Sequence, residues 1–225
     1  MESQTPEGLV GINWPSVEKY QGSKFQYEES TKKEIEGILA RSRFTRNLPD
    51  VQKGIGRDLL LDFMWGVKMV ADLSGYKEEI PKPTIFFDET PGLFSSSLSF
   101  WKKPFLITQS RQFIRLLQLL GEGKKPKLGI KPYIKGILPA EAVEISGVEE
   151  MAHILFMKKK GVPGRYSSPL GKPSSERLVD YFSQDVEERA LFWKVAYTKH
   201  YFPHLYPQYE KLLNAVQIFR TNKNG

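Results

Sequence analysis

Between Val51 and Gly75 the apolar residues Leu59, Phe63, Val67 and Val70 recur at helical spacing, and Gly75 ends the run. That pattern commits the stretch to a core-facing amphipathic helix. From Pro83 the texture changes. PTIFFDET and PFLITQS are short β-branched and aromatic runs, and GLFSSSLSFW alternates more loosely. Lys102-Lys103 between the last two predicts a tight connection, and the three runs together predict a small sheet of about three strands. RQFIRLLQLLGEG returns to helical spacing and stops at glycine. A mainly helical α+β single domain over 51–225 is expected, preceded by a polar segment, 1–50, with a short helix through ESTKKEIEGILARSRF.

Pro139 opens the most informative helix, expected over 139–160. Glu141 and Glu144 lie in its early turns, Lys158 to Lys160 in its last, and Gly161 follows, the charge order a helix dipole favours. Gly147 reads as a kink or as the true start of the helix, costing about 1 kcal/mol relative to alanine. On a helical wheel Ile145, Val148, Ala152, Leu155 and Phe156 form one apolar stripe. Glu149 borders that stripe, His153 follows one turn later just beyond it, and Glu150 is rotated by about 100°. Glu149 and His153 can therefore point at one spot, with Glu150 flanking it.

A second carboxylate helix has to supply a third ligand if that spot holds a metal. In DVEERALFWKVAY, within an expected helix over 185–202, the apolar face is Val186, Ala190, Trp193 and Tyr197. Glu187 flanks this face, while Glu188 points away and stands in capping-box spacing with Asp185. In SSERLVD, Glu176 and Asp180 share a face at i, i+4. Glu187 is the preferred third ligand and Glu176 the second choice. Without an ion, Glu149, Glu150 and Glu187 would crowd together, so a counter-charge is expected: a metal, a proton, or a nearby Lys or Arg.

The chain has no cysteine, which excludes disulfides, thiolate zinc sites and cysteine nucleophiles. Any metal must be held by Asp, Glu or one of three histidines, His153, His200 and His204. His200 and His204 flank Pro203 and do not share a helical face, so they read as surface or aromatic-packing residues. The net charge of +7 permits nucleic acid as a partner, but the lysines are scattered and no recognition motif accompanies them. No apolar run approaches the roughly 18 residues of a membrane span, and the N-terminus lacks a signal-peptide pattern, so a cytoplasmic protein is expected.

Taken in order over Val51 to Tyr201, the amphipathic helix, small sheet, loop, helix with Glu149-Glu150-Met151-Ala152-His153 and later helix with Glu187 resemble the small zincin metallopeptidases, the gluzincin and ImmA/IrrE-like proteins. The resemblance implies a zincin-like fold with a mixed sheet and a metal-dependent, peptidase-like hydrolase acting on peptide or protein. It would make Glu149, His153 and Glu187 the ligands and Glu150 the catalytic base. It would also make the strand containing Ser97, Leu98 and Ser99 the edge that binds extended substrate. The chain departs from the family at Glu149, which stands where the first histidine of His-Glu-x-x-His belongs. Two carboxylates and one imidazole can take zinc, and shift the preference toward manganese or iron. The contrasting expectation is a catalytically inactive interaction or regulatory protein that keeps the scaffold, with nucleic acid reached through a basic surface.

Overall fold

The computed structural model describes residues 9, 11–87, 93–98, 103–126, 133–160, 179, 181–182 and 184–224. Helix α1 (Val17–Arg41) starts at Ser16, whose side chain accepts a hydrogen bond from the Lys19 amide, and it ends on Arg41. It begins well before the short helix expected from residue 29. The reason is that Tyr20, at its first turn, is a core residue along with Ile35 and Leu39. Helix α2 (Asp50–Leu73) follows, burying Leu59, Phe63, Val67 and Val70 as the spacing predicts. Its terminator is as expected, with Gly75 at φ 69° in the left-handed region.

Strands β1 (Pro83–Phe86), β2 (Phe94–Leu98) and β3 (Pro104–Gln109) form a mixed sheet in the order β1-β3-β2. β1 runs parallel to β3, with Thr84 opposite Ile107, and β2 runs antiparallel to it, with Ser96 opposite Leu106. The inward residues Ile85, Phe94 and Leu106 are buried, and Phe94 stacks on Phe63 of α2 at 3.9 Å between ring centroids. Helix α3 (Ser110–Gly121) follows β3 directly and buries Phe113, Leu116 and Leu117. Then come α4 (Pro139–Lys160), α5 (Asp185–Tyr201) and α6 (Tyr206–Asn224). The fold is α+β and mainly helical with a small three-stranded mixed sheet. Among the described residues no helix is long and apolar enough to cross a membrane.

Helix α4 is buried nearly all round. Val143, Ile145, Val148, Met151, Ala152, Ile154 and Met157 are buried, while Leu155 and Phe156 are only half-buried. The one-stripe expectation is therefore too narrow, because α2, β2 and α5 all pack against this helix. Gly147 does not start it, since the helix runs from Pro139. A Cβ there would collide with the Phe63 carbonyl of α2, and a Cβ on Gly66 would collide with the Glu144 carbonyl. The two glycines let the backbones of α2 and α4 touch, and that crossing fixes the rotation of α4.

Two apolar clusters flank α4 and α5. The larger one joins α1, α2, the sheet and α3 to Val148, Met151, Ala190, Trp193 and Tyr197. The smaller one gathers Ile145, Phe182 and Leu191 with Leu205, Tyr209, Leu212 and Val216, the last three from α6. Asp185 and Glu188 do not form the expected capping box. Gln184 caps α5 without a side-chain bond, and both acids instead meet Arg220 of α6.

Candidate metal centre

The antiparallel pair α4 and α5 brings the acidic residues together. Glu149 and His153 project from consecutive turns of α4, and Glu187 comes from the first turn of α5. One ligand atom from each of Glu149, His153 and Glu187 lies within 4.8 Å of the others. His153 and Glu187 are buried and Glu149 is half-buried. The structure thus gathers the three residues expected to be ligands. Glu176 and Asp180 lie outside the described residues.

The imidazole of His153 is held at both edges. Its Nδ1 is 3.5 Å from Glu150 Oε2, and its Nε2 is 3.3 Å from Glu187 Oε2. The second contact is close in distance but not aligned as a hydrogen bond. Both His153 Nε2 and Glu187 Oε2 are buried without a hydrogen-bond partner among the described residues. With the imidazole protonated the two atoms stand at ion-pair distance from each other, and both are turned toward Glu149.

The counter-charge expected for the crowded carboxylates is a lysine. Lys194, two turns after Glu187 on α5, places its Nζ 2.7 Å from Glu149 Oε1, with its side chain only 2% exposed. The ammonium also lies 5.2 Å over the ring of Phe182. Burial raises the Glu149 carboxyl above its ordinary range, and the charges of Glu187 and Glu150 add to this against Lys194 and His153. Burial pulls His153 down, but the carboxylates of Glu187 and Glu150 win and raise it well above its ordinary value. Glu187 goes the other way. Burial raises it, but the His153 charge, together with the Tyr181 hydroxyl, leaves it below the usual carboxylate range.

Earlier on α4, Glu144 anchors a second buried polar group that the sequence pattern did not reveal. Its Oε1 accepts hydrogen bonds from the Tyr20 and Tyr197 hydroxyls, the latter at 2.5 Å, and its Oε2 pairs with Lys24 Nζ at 2.7 Å. Lys24 is also 2.6 Å from Asp62 Oδ1. Glu144 is therefore fully partnered, unlike the His153–Glu187 pair. The signal for Lys194 was present in the sequence, since a lysine at i+7 from Glu187 shares its face and interrupts the apolar run Trp193 to Tyr197.

The remaining expected site residues are placed as follows. Ser97 and Leu98 end β2, an edge strand of the sheet, opposite Phe105 and Pro104. Ser99 lies outside the described residues. His200 stacks on Trp14 at 4.7 Å, and the exposed His204 meets Glu141 at 3.0 Å, so neither belongs to the acidic cluster. The donor set fits a divalent ion in kind and number, with two carboxylates and one imidazole converging, and His153 Nε2 and Glu187 Oε2 making no hydrogen bond. Comparison with known protein families, curated proteins and solved structures finds no match to this chain.

Proposed function

We propose that Glu149, His153 and Glu187 form a divalent-metal centre in a zincin-like scaffold, and that the protein is a metal-dependent hydrolase of the peptidase kind. The carrying observation is that His153 Nε2 and Glu187 Oε2, buried and in no aligned hydrogen bond, converge within 4.8 Å of a Glu149 oxygen. Zinc, manganese and iron are the ions this set suits. When bound, the ion supplies Lewis acidity toward an amide carbonyl and an attacking water.

The chain's own residues divide the remaining work. Glu150, against Nδ1, keeps the imidazole turned so that Nε2 faces Glu187. Glu150 is also the base in this reading, taking the water's proton on its carboxylate and passing it to the leaving amine. Strand β2, ending at Ser97 and Leu98 and at the sheet edge among the described residues, would pair with an extended peptide in this reading. The test is hydrolysis of a peptide library by ion-loaded protein. Glu150→Gln should keep the ion and lose activity by about 100-fold or more, the scale of a general base. Equal activity in Glu150→Gln, or none in loaded wild type, contradicts the hydrolase reading.

One observation favours a second reading. Lys194 already gives Glu149 an internal cation, so the cluster can persist as an ion-pair network in a non-catalytic regulatory protein. Such a protein has a basic face available for nucleic acid along α3, where Arg111, Gln112, Ile114, Arg115 and Gln118 line a groove. Salt-dependent retention on RNA or DNA, with no ion bound, would support it.

A further inference from the structure

We infer that Lys194 is the charge-selecting residue of the centre, holding the cluster at the charge that a divalent ion neutralises and a trivalent ion does not. The inference rests on the metal reading above and names what regulates that site. Lys194 is among the largest fully buried side chains of the protein. A buried ammonium is retained against a large desolvation cost only where a specific charge meets it. Its partner is one oxygen of Glu149, Oε1 at 2.7 Å, and the carboxylate carries a second oxygen. In this inference the lysine acts through Glu149 as a positioning residue.

The charge count is specific. Glu149, Glu150 and Glu187 bring three negative charges to the cluster and Lys194 brings one positive. A ligating histidine is neutral. The balance is two negative charges in a buried setting, which a divalent ion cancels. Without Lys194 it is three, which suits a trivalent ion. The lysine's repulsion also grows with ionic charge, so it disfavours the trivalent ion more. The independent pointer to an ion is again His153 Nε2 and Glu187 Oε2, 3.3 Å apart, both more than nine-tenths buried and neither in an aligned hydrogen bond.

The test compares Mn2+ and Tb3+ affinities in chelator-stripped full-length protein, by calorimetry for Mn2+ and by luminescence for Tb3+. Lys194→Met, similar in length and uncharged, should shift the affinity ratio toward Tb3+ by about tenfold or more, while Lys194→Arg keeps the wild-type ratio. Lys194→Gln, which retains a polar donor against Glu149, should give the same shift as methionine and serves if Lys194→Met does not fold. Using the ratio cancels any loss of positioning common to both ions. An unchanged ratio in Lys194→Met or Lys194→Gln, with wild type binding Mn2+, overturns the role of Lys194 and leaves the metal centre standing. Wild type that binds neither ion overturns both.

Discussion

Lys24 serves two carboxylates, Glu144 at 2.7 Å and Asp62 at 2.6 Å. Burial, with the charges of Glu144 and Glu28 adding to it, lifts Asp62 from its ordinary 3.8 to about 6 despite the lysine. A carboxyl raised in the folded state binds its proton more tightly there than in the unfolded chain. Its contribution to stability is thus full below pH 3.8 and lost as the pH rises through about 6. Wild type should lose up to about 3 kcal/mol relative to Asp62→Asn between pH 4 and pH 7, read by denaturant unfolding of both proteins. A difference that stays flat across that window contradicts the assignment. At this scale the sequence was legible where chemistry follows spacing along one helix, as for Glu149 and His153. It was not legible where a partner comes from another element. Glu144 read as a dipole-complementing charge in an early turn, and only the arrival of Tyr20, Lys24 and Tyr197 from α1 and α5 makes it a buried hub.

The position of α4 depends on two glycines that no wheel distinguishes from kinks. Gly66 and Gly147 lie against each other's helix backbone, and a carbonyl cannot rotate aside as a side chain can. Gly147→Ala should therefore sit at the upper end of overpacking costs, about 3 kcal/mol, and should weaken ion binding as α4 is displaced from its seat on α2. Gly54→Ala in α2, with nothing near its Cβ, is the control and should stabilise by up to about 1 kcal/mol. Chemical denaturation of the two variants checks both signs, and a neutral Gly147→Ala would mean that the helices do not cross this closely. The strands were readable because β-branched and aromatic residues gather in the short runs Pro83–Phe86 and Pro104–Gln109. The extent of α1 was not, because its N-terminal turns are polar by composition and are recruited to the core mainly through Tyr20.

Across the whole molecule, the order of patterns specified the class, helices around a small mixed sheet, because each element's periodicity agrees with its place in the packing. What it left open was how many faces of α4 would be covered. Two apolar clusters meet along α4 and α5, and polar groups placed there are withdrawn from water whatever their intrinsic preference. That withdrawal makes Lys194 necessary to Glu149 and leaves His153 Nε2 and Glu187 Oε2 facing each other without a bond. The most direct measurement is ion stoichiometry and affinity in chelator-stripped protein, titrated calorimetrically with Zn2+ and Mn2+, beside His153→Ala and Glu187→Gln. One ion per chain in wild type, with binding lost in both variants, is the predicted result. Wild type that takes up no ion, or variants that bind as wild type does, would show that the cluster is an ion-pair network and not a metal centre.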